Sequence, residues 1–154
     1  SETGHLVLST LHTIDAAKTI DRIVGVFPKN AERQIRTRFS QSFKWVVSQR
    51  LVVGVDGRRL PAAEVLINTP MIRDLLRRGQ VHEMKMAMEE SLEDGMQSFD
   101  QCLFRLYKEG KVEMEEALKA ADSRDGLALK FRLSEGSSGE HDPYADVFNA
   151  GIAH

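Results

Sequence analysis

A single cysteine, Cys102, among 154 residues excludes an intrachain disulfide and fits a reducing compartment. It lies with Phe99, Leu103 and Leu106 at helical spacing, which reads as a core thiol rather than a reactive one. No apolar run approaches the ~20 residues that cross a bilayer as a helix, and no signal-peptide pattern occurs. Neither charge sign dominates: 21 Lys and Arg against 23 Asp and Glu leave a net charge of -2. That balance gives no global pull towards nucleic acid or an anionic membrane. There is no Gly-x-x-x-x-Gly-Lys-Ser/Thr run, so no phosphate-cradling P-loop, and no Gly-x-Ser-x-Gly nucleophile elbow. Internal repeats are absent too.

What is there begins at once. Glu2-Thr3-Gly4-His5 leads into Leu6-Val7-Leu8-Ser9-Thr10 and Leu11-His12-Thr13. So apolar a run predicts a strand buried on both faces. Its polar His-Thr end is where open α/β sheets collect ligands. The run starts at residue 2 without an initiator methionine, so a chain that begins inside a domain is expected, at the edge of a shared site. His5 and His12 are seven residues apart, and on one regular strand they face opposite ways, which argues against a two-histidine metal site. No metal is expected. His12, between the Thr10 and Thr13 hydroxyls, can donate to a phosphate or a polarised water. A capping or core-satisfied histidine is the alternative.

Ala16, Ile20, Ile23, Val24 and Phe27 predict a helix that Pro28 stops. Asn30 is the expected cap of the next helix, with Glu32 in its first turn and an apolar stripe of Ile35, Phe39, Phe43, Val46 and Val47. A strand over Leu51–Val55, a type I′ turn at Asp56-Gly57 and a return strand from Arg58 to Ile67 form a hairpin, with Pro61 at an edge or bulge. Thr69-Pro70 caps a short helix ending at Gly79, its Ile72, Leu75 and Leu76 inward and Arg73, Arg77 and Arg78 outward. Helices are expected over Val81–Asp94, Ser98–Glu109 and Glu113–Ala121, with Met84, Met88 and Leu92 as one core stripe. His82 beside Glu83 reads as solvated. Alternation of Leu127, Leu129, Phe131 and Leu133 with polar neighbours predicts a half-buried strand, and residues 134–154 a disordered tail.

The opening box, Thr3-Gly4-His5-Leu6-Val7 through Ser9-Thr10-Leu11-His12-Thr13, continues into Ala16-Ala17-Lys18-Thr19-Ile20-Asp21-Arg22-Ile23 and Phe27-Pro28. With Ser48-Gln49-Arg50-Leu51, Glu64-Val65-Leu66-Ile67-Asn68-Thr69-Pro70 and Gly95-Met96-Gln97-Ser98-Phe99-Asp100-Gln101, it resembles the PilT/PilU pilus-retraction ATPases of the secretion-ATPase superfamily over about residues 1–133. The resemblance implies an α/β fold: the C-terminal portion of a RecA-like P-loop ATPase domain over 1–68, then a helical subdomain over 69–133. The family's P-loop, aspartate box and Walker B acid precede this box, so this piece is expected to be inactive alone. His12 is implied as the catalytic residue on the γ-phosphate side, His5 as its support, and Thr10 and Thr13 as nucleotide-binding.

The implied substrate of the whole protein is ATP with Mg, the implied assembly a hexamer, and the implied task pilus retraction and twitching motility. The partners implied are a PilT-type motor and the inner-membrane pilus platform protein, with no nucleic acid, at the cytoplasmic face of the inner membrane. Met71-Ile72-Arg73-Asp74-Leu75-Leu76-Arg77-Arg78 departs at four positions from the helix Ala-Ile-Arg-Asn-Leu-Ile-Arg-Glu of PilT-type motors, which, with the expected strand at Leu127–Leu133 and the polar tail, favours the PilU side of the family. An alternative of another class is a non-catalytic docking module presenting Arg73, Arg77 and Arg78. A pilus-assembly or secretion ATPase is a third reading; such relatives usually carry a four-cysteine zinc motif, and this chain has one cysteine.

Overall fold

Helix signals in this chain resolve best where both ends carry their own stop chemistry. The computed structural model describes residues 4–91 and 95–136, which form two compact units: residues up to 51 with 61–98, and residues 52–60 with Phe99 onward. The described residues hold seven α-helices and one two-stranded antiparallel hairpin, an α/β arrangement.

In the first unit, Asp15 caps α1 (Ala16–Gly25): its backbone is extended and its Oδ1 accepts the Lys18 N–H at 2.6 Å. Ala16, Ile20 and Val24, one turn apart, form the buried face. The helix ends at Gly25, short of Pro28. Asn30 is not the cap of α2 (Glu32–Ser42); Ala31 holds that place. The turn before it does the work instead, with Ala31 N–H donating to Pro28 O at 2.8 Å and Glu32 N–H to Lys29 O at 3.4 Å. The expected stripe also breaks earlier. Phe43 turns extended, stacks on Phe39 at 4.8 Å, and Val46 and Val47 pass into a strand.

That strand, β1 (Trp45–Val53), starts before the expected Leu51 because its β-branched residues find a ladder partner in β2 (Arg59–Ile67). The turn is not type I′. Asp56 keeps a negative φ, and only Gly57 is left-handed at +76°, in a three-residue loop where Gly54 N–H donates to Arg58 O and Gly57 N–H to Gly54 O. At the hairpin's base Asn68 N–H donates to Lys44 O at 3.0 Å, in the same register as Gly54 with Arg58. The ladder therefore runs without a bulge, and Pro61 falls where its nitrogen faces away from β1, so no ladder bond is lost. Even-numbered positions Ser48, Ala62, Glu64 and Leu66 are buried; odd-numbered Trp45, Val47 and Leu51 are exposed.

α3 (Pro70–Arg78) follows its sequence signals closely. Thr69 Oγ1 accepts the Ile72 N–H, Pro70 opens the helix, and Gly79 closes it at φ +77°. Gln80 N–H to Leu75 O and Gly79 N–H to Leu76 O complete a Schellman closure. A Cβ on Gly79 would meet only the far end of the Arg36 side chain, Nη1 at 3.0 Å, so it is the left-handed φ that requires glycine. The helix expected over Val81–Asp94 divides into a 3-10 turn, Val81–Glu83, and α4 (Met84–Glu89); Leu92, the third member of the expected stripe, lies outside the described residues. Ile72, Leu75, Leu76, Met84 and Met88 join α1, Phe43 and Leu66 in one core.

The second unit packs α5 (Phe99–Lys108), α6 (Met114–Ala120) and α7 (Arg124–Gly136) around Leu103, Ala117, Leu127 and Phe131. Residues 127–133 are helix, not strand. Leu127 and Phe131, one turn apart, are buried, whereas Leu129 and Leu133 are exposed. Phe131 meets Tyr107 at 4.5 Å and Phe104 at 5.7 Å between ring centroids. The buried Asp100 carboxylate accepts the Asp122 and Ser123 N–H groups at 2.7 and 2.9 Å, just ahead of the first turn of α7. Ser134–Gly136 belong to that helix; the remainder of the expected tail lies outside the described residues.

The opening run differs most. Residues 5–13 form no strand, and Leu6 and Leu8 are 77% and 83% exposed. Burying an extended segment takes neighbouring strands for its backbone, and the hairpin's ladder partners are its own two strands and, at Val65, Gln97.

Candidate functional site

The residues singled out at the start of the chain share one exposed segment. His5, Thr10 and His12 are exposed, and Thr13 is half-buried. Immediately after His12 the chain is tied down. Thr13 N–H closes a tight turn on Leu11 O at 3.1 Å. Thr19 Oγ1 donates its only proton to Asp15 O at 2.8 Å, so in the 2.6 Å contact between the two hydroxyls it is Thr13 that donates. Thr13 has therefore committed its proton to the fold and acts as an anchor, able only to accept from a ligand.

Two further contacts come from the hairpin. Arg50 Nη2 donates to Ile14 O at 3.5 Å, and Glu64 Oε2 accepts the Ala16 N–H at 2.6 Å. Glu64 is 3% exposed, on the buried face of β2, and meets the positive end of α1. Residues 13–16 are thus fixed from three elements, and His12 precedes them by one residue. Chemically the segment offers imidazole and hydroxyl groups on a short exposed arm whose base is held by hydrogen bonds. Among the described residues no three His, Cys, Asp or Glu side chains gather as a metal-binding group.

The arginines of α3 are not equivalent. Arg77 and Arg78 are exposed, and Arg78 pairs with Asp74 at 2.9 Å. Arg73, expected outward, is half-buried, and its Nε is buried without a hydrogen-bond partner. His82 is exposed, 3.6 Å from Glu83, and Cys102 is buried, both as read from sequence. Glu64, Asp15 and Thr19, which set the base of the segment, were not foreseen in that role. The one available signal was a carboxylate at the buried parity of an apolar strand.

Residues 1–127 match the model of a family described as type II/IV secretion system protein. The chain is 44% identical over 142 residues to the type IV pilus ATPase PilU of Pseudomonas aeruginosa, covering 92% of this chain and 37% of that protein. It is also 44% identical over 121 residues to the type IV pilus retraction ATPase PilT of the same organism, covering 79% of this chain and 35% of that one. Among solved structures, the pilus retraction motor PilT with bound ADP superposes with a TM-score of 0.73 at 38% identity, over 83% of this chain and 36% of that chain. The Legionella pneumophila ATPase DotB gives 0.62 at 26% identity, over 75% of this chain and 31% of that chain. The chain thus spans about a third of the length of the relatives it matches. No helix among the described residues is long and apolar enough to cross a membrane.

Proposed function

Because this chain belongs to the type II/IV secretion system protein family, we propose that it is the C-terminal part of a hexameric ATPase motor for type IV pilus retraction, on the PilU side of the PilT/PilU pair. The observation that carries the site is the placement of His12, exposed and one residue ahead of the anchored Thr13–Ala16 segment. Held there, its imidazole can donate to a γ-phosphate oxygen of MgATP as charge develops during transfer. His5 supports it from the same segment, and the exposed Thr10 hydroxyl reaches the nucleotide side. Thr13 holds the base of the arm. The phosphate cradle and the groups that hold Mg come from residues outside this chain, since no P-loop run occurs in it. In the complete motor, the apolar run 6–11 and the exposed Trp45, Val47 and Leu51 are covered by that remaining part.

The test is His12→Ala in the complete motor. ATP turnover is expected to fall about 10- to 100-fold, with nucleotide affinity within about 3-fold. Unchanged turnover overturns the assignment of His12. These 154 residues alone should hydrolyse no ATP; measurable hydrolysis by them would remove the need for an external cradle.

A second reading, docking, is favoured by one observation: α3 is firmly packed on one side and displays Arg77 and Arg78 on the other. The partners in view are a PilT-type motor and the inner-membrane platform protein, at the cytoplasmic face of that membrane, with no nucleic acid. Charge reversal at Arg77 and Arg78 should abolish co-purification of such a partner while turnover persists. Arg73 enters this reading only if its guanidinium reaches the surface.

A further inference from the structure

Glu64 lies in the otherwise apolar stretch Leu60–Ile67 of β2, yet it is 3% exposed and its carboxylate meets the first N–H of α1, Ala16, at 2.6 Å. In the hairpin register defined by Gly54 with Arg58 and Lys44 with Asn68, the residue across the ladder is Ser48. Ser48 is 7% exposed and its hydroxyl has no hydrogen-bond partner. A buried carboxylate loses hydration that only hydrogen bonds and charge can offset. A structural need for packing alone would be met by the alanine or leucine found two residues to either side, Ala62 and Leu66. Glu64 therefore does something the strand itself does not need: it takes part in fixing where α1 begins.

We propose that Glu64 is a positioning residue for His12, setting the arm's height and direction through the N-terminus of α1. The chain of contacts is short. Glu64 fixes Ala16; the Asp15 side chain caps the same turn and its carbonyl oxygen accepts from the Thr19 hydroxyl; Thr19 accepts from Thr13; His12 is the next residue along. A shift of α1 by a fraction of its rise moves the imidazole with it. Misplacement of a positioned group by about 1 Å reduces turnover about 100-fold in the limit. The proposal rests on the reading of His12 as the nucleotide-facing group.

The experiment is steady-state ATP hydrolysis by the complete motor carrying Glu64→Ala, Glu64→Gln, His12→Ala and the Glu64→Ala/His12→Ala pair. Glu64→Ala is expected to lower kcat about 10-fold with KM for ATP within about 2-fold. Glu64→Gln, which retains an oxygen for the Ala16 N–H, should turn over at least about 3-fold faster than Glu64→Ala. The double variant should be no slower than His12→Ala, since both changes remove one positioned group. Additive losses in the double variant, or no advantage of Gln over Ala, overturn the proposal. If His12→Ala is impaired and Glu64→Ala is normal, Glu64 fails alone and the site reading stands. If His12→Ala is normal, the site reading fails and takes this inference with it. Where Glu64→Ala does not fold, Glu64→Asp replaces it by withdrawing the oxygen one methylene: a fall in kcat at steady KM supports the proposal, and a normal kcat overturns it.

Discussion

Leu6–Leu11 and Pro70–Arg78 make opposite pairs of sequence and outcome. The first is mostly apolar and uncharged and stands exposed; the second carries Arg73, Asp74, Arg77 and Arg78 and is docked through Ile72, Leu75 and Leu76. Hydrophobicity alone does not decide burial. A helix satisfies its backbone internally and needs one apolar stripe and two ends. A strand needs another strand on its flank before its side chains can be hidden. α3 carries all its requirements within eleven residues, Thr69 to Gly79, while the apolar run depends on partners that the described residues do not supply.

Three substitutions, read by chemical denaturation of this chain, probe that contrast. Leu76→Ala removes a fully buried side chain and should destabilise by about 3 kcal/mol. A loss below about 1 kcal/mol would mean that α3 is not docked as described. Thr69→Ala deletes the hydroxyl that receives the Ile72 N–H and should cost about 1 kcal/mol. Leu8→Ala, in the exposed run, should change stability by less than about 0.5 kcal/mol. A larger effect there would erase the contrast by showing the run buried in solution. The same Leu8→Ala change in the complete motor should be markedly more destabilising, because the run is then covered.

Legibility in the sequence followed the range over which the deciding contact acts. Thr69-Pro70 and Gly79 announced α3 because cap, first turn and closure are local chemistry. Residues 127–133 misled because apolar residues at every second position satisfy a strand's period, while Leu127 and Phe131 also satisfy a helix's. The helix start carries a local cap that the alternation outweighed, Ser123 Oγ accepting the Gly126 N–H, and Asp100, 22 residues before Asp122, holds the same turn from outside any local window. Asn30 failed as a cap because the Pro28 turn already supplied acceptors for the N–H groups of Ala31 and Glu32. In the candidate site the same rule holds. His12 and its threonines stood out as adjacent polar groups closing an apolar run. Glu64 and Arg50 come from the hairpin, 48 and 36 residues from the backbone groups they meet, and only the fold brings them there.

Chemical ageing would find α2 through Asn68. Its Nδ2 donates to Ser40 O and Phe43 O, both at 2.8 Å, and its own N–H holds Lys44 O. Both side-chain partners are carbonyls, which can only accept, so the amide has one workable orientation. Deamidation, a change of about one mass unit, would put a carboxylate oxygen against two carbonyl oxygens and turn a clasp into a repulsion. A sample carrying that change at Asn68 would be expected to release the end of α2 from the hairpin.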